Sequence, residues 1–239
     1  MSLFEVKPYD REVYEKELKD FLPQKILDVH THVYLKEFFP PKPLAPGEVK
    51  RTVTWPSLVA ADDSIEDLQE TYRLMLPGKD VTALMFTSRG AWDKNNAYVA
   101  ECSRRTGFPA LYYSRPEQTP EELEQEIRKG GFLGLKSYLS LSPKDPPEAE
   151  IRIFDFFPKA QLKKMDEMGA IVMLHIPRNG RLKDPVNLAQ IMEIKQEFPN
   201  IRLIIAHIGR AYTKEDVGNA FETLDQAPDL MYDFCANSS

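Results

Sequence analysis

The sequence predicts an α/β fold built on a parallel sheet. Seven apolar runs of strand length recur along the 239-residue chain, and amphipathic segments with helix start and stop signals separate them. Several runs are apolar at successive positions, as strands covered on both faces must be. Strand–helix–strand alternation of this kind calls for right-handed crossovers and parallel pairing. Two architectures satisfy it: an open doubly wound sheet, or a barrel of βα units.

The elements follow in order. A charged helix over about residues 10–21 precedes the first run, KILDVHTHV at 25–33. The Pro-rich, aperiodic stretch FFPPKPLAPGEVKRTVTWP, 38–56, reads as a long loop over the C-terminal strand ends. A helix at 64–76 leads to the strand VTALMFTS, 81–88, and a helix at 93–107 to the strand FPALYYSR, 108–115. TPEELEQEIRKGG, 119–131, has Thr119 as N-cap, Pro120 in the first turn, acids early, Lys129 late and Gly130 as a stop. The strand FLGLKSYL, 132–139, comes next, then a helix at 157–169 and the strand AIVMLHIP, 170–177. Asp184 and Pro185 open a helix over 184–200. The strand IRLIIAHIG, 201–209, a helix at 213–226 and the strand DLMYDFCA, 229–236, complete the series.

Composition limits the function classes. A content of 42% hydrophobic and 28% charged residues is that of an ordinary globular chain, here taken as one domain over 1–239. Net charge is −6 and no Lys/Arg block occurs, which argues against a nucleic-acid partner. No apolar run approaches the roughly 20 residues that span a bilayer, so no membrane partner is expected. The N-terminal segment is charged throughout, unlike a signal peptide, and two cysteines, Cys102 and Cys235, make no disulfide framework. A reduced, cytoplasmic setting is the simplest reading.

The four histidines carry the chemistry. His30, His32, His175 and His207 each fall at or near the C-terminal end of a predicted strand, and none lies on a helix. In a parallel barrel those ends share one face. Residues i and i+2 of a strand project to one side, so His30 and His32 can offer two nitrogens to one ion, and imidazole suits Zn²⁺ and related metals. Asp28 is expected on the same face, deeper. A single strand-end histidine is more often a hydrogen-bonded rim residue; four together favour a metal site. Lys136 lies inside an apolar strand, where an unpaired ammonium is costly. It is either a CO₂-carboxylated bridge between metals, a group that binds a substrate carboxylate, or a lysine with its head in water. Asp233 is a ligand, a partner of a histidine or a solvent contact. Arg178 and Arg210 each follow a strand-end histidine and could clamp a carboxylate, or be solvated loop residues. Tyr112, Tyr113 and Trp55 are pocket-lining or packing residues.

On the motifs DVHTHV, GLKSY, MLHIPR and IIAHIG, the chain over about 25–236 resembles the amidohydrolase superfamily, in its amidohydrolase-related branch. The resemblance implies a distorted (β/α)₈ TIM-type barrel and one or two divalent metals, with zinc expected. It implies His30, His32 and His175 as ligands, with Lys136 at the position of a carboxylated lysine. His207 would be a second-metal ligand or, in single-metal members, the residue that polarises substrate or water. Family members also carry an aspartate on an eighth strand. Only seven strands are read here, so a barrel truncated after the seventh strand is expected, with exposed edges that a neighbouring copy in a homo-oligomer could fill. The function this implies is metal-dependent hydrolysis of a small carboxylated or cyclic substrate, such as a lactone or amide. A non-oxidative decarboxylase on the same site and an inactive metal-binding fragment are the alternatives.

Overall fold

The apolar runs become strands and the capped segments become helices. The structure, a computed structural model, describes residues 4–38, 63–87, 91–143 and 147–235. Most of the Pro-rich stretch, with Trp55, lies outside the described residues. The chain forms two compact units, Met1–Phe108 and Pro109–Ser239.

In the first unit, helix α1 (Pro8–Val13) runs into a wider π turn, Tyr14–Leu18, shorter overall than the helix expected over 10–21. The buried Tyr14 donates its hydroxyl hydrogen to the Pro77 carbonyl at 2.6 Å, which anchors this segment. Strand β1 (Lys25–His32) pairs in parallel with β2 (Asp80–Phe86). Between them lies α2 (Ile65–Met75), capped by the Ser64 hydroxyl, which accepts from the Asp67 amide at 3.1 Å. Helix α3 (Trp92–Thr106) follows β2 and ends at Gly107, whose φ of 74° is the left-handed stop that glycine adopts freely. Ala83, Leu84, Met85 and Phe86 of β2 are all buried, as a doubly covered strand requires.

The second unit carries five parallel strands in chain order: β3 (Tyr112–Tyr113), β4 (Gly134–Lys136), β5 (Ile171–Leu174), β6 (Arg202–Ile205) and β7 (Met231–Tyr232). A doubly wound sheet reverses its strand order at a switch point; consecutive order without reversal is the pattern of a barrel. Helices α4 (Pro120–Gly130), α5 (Lys159–Met168) and α6 (Pro185–Glu197) make the crossovers. The capping box of Thr119 and Glu122 forms as its spacing requires, and the left-handed stop falls at Gly131, one residue beyond the expected Gly130. The helix expected over 213–226 is instead two short pieces, α7 (Lys214–Val217) and α8 (Ala220–Leu224), broken at Gly218. Val172, Met173, Leu174, Leu203 and Ile205 are almost fully buried, each contributing about 1.5–3 kcal/mol by removal from water.

Candidate metal centre

Strand β1 positions its histidines through a bulge. Its register with β2 shifts between Asp28, which pairs with Ala83, and Thr31, which pairs with Met85. Val29 and His30 together therefore oppose one residue, and the alternation of faces is interrupted. The Tyr72 hydroxyl on α2 donates to the Asp28 carboxylate at 2.9 Å and also meets the Thr31 hydroxyl at 3.2 Å, so these two residues share the helix-facing side. Asp28 thus does not extend the His30–His32 row as expected; the bulge turns it toward Tyr72. Its other oxygen accepts from the His30 amide at 3.1 Å, which pins the bulge.

His30 and His32 do share a face. Their ring centroids are 5.4 Å apart, and both set an edge against Phe86, at 4.9 and 4.7 Å. His32 Nδ1 lies 3.2 Å from the Thr87 carbonyl oxygen. A carbonyl can only accept, so Nδ1 carries the hydrogen and Nε2 keeps the lone pair, the tautomer that a metal ligand needs.

In the second unit the C-terminal strand ends bring together Lys136, His175, His207 and Asp233. The register Leu174–Ile205 sets His175 and His207 just past adjacent strands, with ring centroids 5.1 Å apart and planes at 79°. His207 Nδ1 donates to the Cys235 carbonyl at 2.8 Å, again leaving Nε2 as the lone-pair nitrogen. Burial holds His207 below the usual histidine range, helped by the charges of Lys136 and Arg210 and opposed by the Cys235 carbonyl and Asp233. Its imidazole is therefore neutral at pH 7.

The turn after β6 is strained. His207, Ile208, Gly209 and Arg210 have φ of 55, 43, 64 and 58°, a region costly for a β-branched residue such as Ile208. Gly209 suits its φ of 64°, and a Cβ there would lie 2.5 Å from Leu182 Cδ1, so a larger residue would have to displace that side chain. Asp233 holds the strain in place. Its carboxylate accepts from the His207 amide at 2.9 Å and the Cys235 amide at 3.2 Å, and its carbonyl accepts from the Ile208 amide at 2.7 Å. Asp233 itself is only 4% exposed.

Lys136 is fully buried, with its ammonium nitrogen 3.5 Å from Met173 Sδ and 5.5 Å from the Tyr138 ring centre. The reading of its head as solvated at the strand mouth does not hold. Burial pulls its pKa down to about 7, against the charges of Asp233 and Cys235, so a large neutral fraction exists near pH 7. Arg178 is engaged at Nε by Asp184, 2.9 Å away, whereas Arg210 meets no carboxylate among the described residues. Tyr112 and Tyr113 are packed, Tyr113 edge-on to Tyr138. Cys235 escaped the sequence reading. Its sulfur and the donor atoms of His207 and Asp233 lie within 4.8 Å of one another. The signal was the Asp-x-Cys spacing at a strand end, the same i, i+2 pattern as His-x-His. The Nε2 lone pair of His207, the Asp233 carboxylate and the Cys235 thiol form a donor set suited to a divalent transition ion.

The amidohydrolase family model matches residues 27–238. The chain belongs to the amidohydrolase family. That family is one of metal-dependent hydrolases, and divalent metals are its general cofactor. A Staphylococcus aureus protein provisionally called an amidohydrolase has the same fold at 12% identity, with a TM-score of 0.52 over 86% of this chain and 74% of that one. A Saccharomyces cerevisiae dihydroorotase solved with 5-fluoroorotic acid aligns at 16% identity over 62% of this chain and 44% of its own, with a TM-score of 0.40. A Campylobacter jejuni dihydroorotase aligns at 13% identity over 86% and 52%, with a TM-score of 0.45. The amidohydrolase chain thus spans about half the length of the two dihydroorotases. No curated protein matches it. The (β/α)₈ barrel class agrees with the family and with the Staphylococcus fold. Among the described residues no helix is long and apolar enough to cross a membrane.

Proposed function

We propose that this amidohydrolase opens a small lactone or cyclic amide that bears a carboxylate, using one Zn²⁺ ion held by His30, His32 and His175. The observation that supports this most is the gathering of neutral His207, Lys136 and Asp233 beside His175 at the strand ends. A divalent ion supplies Lewis acidity, withdrawing electron density from a carbonyl and acidifying water. This chain's residues do the rest. His207 Nε2 takes up a proton from the attacking water and returns it to the leaving group, a task that requires the neutral imidazole. Asp233 fixes the backbone of His207, and the Cys235 carbonyl fixes its ring, so Nε2 points in one direction. Arg210, unopposed by any described carboxylate, holds the substrate's carboxylate as a bidentate pair. Arg178 plays the lesser part, because Asp184 already engages its Nε. Lys136 stays bare; a carbamate on it would bring a second ion, and elemental analysis distinguishes one metal from two.

The test is ring opening of a panel of carboxylated lactones and cyclic amides by the Zn²⁺-loaded protein. Turnover should stop on chelation, and Arg210→Gln should raise KM more than it lowers kcat. Release of CO₂ without uptake of water would assign the decarboxylase chemistry instead. Metal binding without turnover of any panel member would sink the hydrolase reading.

A further inference from the structure

We infer that Cys235 is a metal-ligating thiol, which with His207 and Asp233 makes a nitrogen, oxygen and sulfur donor set that selects a thiophilic divalent ion. The inference rests on the family's need for a divalent metal but not on the assignment of His30, His32 and His175; an ion held by the Cys235 set occupies His207 Nε2, and while it is bound that nitrogen no longer serves the proton transfer proposed above. Three observations carry it.

The first is distance. The donor atoms of His207, Asp233 and Cys235 lie within 4.8 Å of one another. Zinc bonds of about 2.0–2.3 Å at tetrahedral angles set donors roughly 3.5 Å apart, so closure asks for about 1 Å of side-chain adjustment.

The second is how the chain holds the thiol. The Cys235 amide donates to the Asp233 carboxylate at 3.2 Å, a turn closed by the side chain two residues earlier. The Cys235 carbonyl meanwhile receives Nδ1–H of His207. Both neighbours of the sulfur are therefore fixed by the same residue that carries it, and the His207 nitrogen left for a ligand is Nε2.

The third is a contrast between the two thiols. Cys102 is fully buried in the first unit, and burial pushes its thiol up to about 11. Cys235 is exposed and not disulfide-bonded. Only Cys235 is open to an arriving ion. As the metal–sulfur bond forms, the thiol proton leaves to solvent. Thiolate in the set favours Zn²⁺ or Co²⁺ over Mg²⁺ and Mn²⁺, which prefer oxygen.

The experiment is Co²⁺ absorption spectroscopy of the full chain after removal of metal. One equivalent of Co²⁺ should give a near-ultraviolet thiolate-to-cobalt band alongside visible d–d bands. Cys235→Ser should abolish the thiolate band and weaken Co²⁺ binding at least about tenfold, whereas Cys102→Ser should keep the band. Circular dichroism checks that each variant is folded, and an exposed Cys-to-Ser change should leave the fold intact. Visible bands without a thiolate band would overturn the inference while leaving a metal centre in place. A thiolate band that survives in Cys235→Ser would also overturn it. No bound cobalt would overturn both this inference and the metal-dependent reading of the site.

Discussion

Asp233 shows how one side chain can organise a site without itself being a reactant. Its carboxylate satisfies the His207 amide at the start of a strained turn and the Cys235 amide two residues beyond Asp233 itself, so removing it leaves two partly buried donors unpaired and loosens the left-handed run. Sequence placed Asp233 on the last strand, but nothing in LMYDFCA announces that one partner of its carboxylate is a backbone amide 26 residues earlier. The bulge that turns Asp28 toward Tyr72 was equally silent, because a bulge is a property of two paired strands. A half-buried carboxylate, Asp63, gives a pH prediction. Burial, with Asp67 nearby, raises Asp63 from 3.8 to about 6. The folded protein then holds that proton more tightly than the unfolded chain. Its contribution to stability is complete below about pH 3.8 and is lost as pH rises through about 6. A shift of this size corresponds to about 3 kcal/mol, reduced to about 1–2 kcal/mol by partial exposure. Asp63→Asn should therefore stabilise the protein by about 1–2 kcal/mol at pH 7 and hardly at all at pH 3.5. Urea denaturation at the two pH values checks this; an equal effect at both would remove the titration argument.

At the scale of elements, Asp184 joins a helix to the candidate site. One oxygen accepts from the Val186 amide at 2.9 Å and the Asn187 amide at 3.4 Å, and from Arg178 Nε at 2.9 Å. Asp184→Ala removes the cap and a half-buried ion pair, and should cost about 2 kcal/mol in thermal unfolding. Asp184→Asn keeps the cap and should cost less than half of that; equal losses would show that the charge pair dominates. This cap was legible because it is local: Asp followed by Pro before an amphipathic run specifies a helix start regardless of the remaining fold. The same holds for Thr119 and Ser64. Strand existence was legible from apolar runs, but strand extent was not. DLMYDFCA reads as eight residues of strand, yet only Met231–Tyr232 pair, because Asp233 leaves the ladder to serve the β6 turn. The break of the last helix at Gly218, φ 50°, could have been read from the glycine, whereas the left-handed run at 207–210 could not, since only Gly209 in it favours that region.

For the whole molecule, the proposed metal is also a stability term. An ion that binds only the folded chain stabilises it by about 2.7 kcal/mol when present at a hundredfold excess over Kd. For a chain of this length that corresponds to a rise in Tm of roughly 5–10 °C. Differential scanning calorimetry of the metal-free protein, with and without Zn²⁺, should show the rise, and a chelator should reverse it. The rise should shrink as pH falls from 7 to 5, because protons compete with the ion for imidazole nitrogens. His30→Ala and His175→Ala should each reduce it by a similar amount, since a shared ion loses affinity whichever histidine is removed. These variants separate a common ion from separate ones more sharply than activity does, because they read binding even when no substrate is turned over. If His30→Ala loses the Zn²⁺ response and His175→Ala keeps it in full, the two histidines do not serve one ion, and the metal assignment above must be divided.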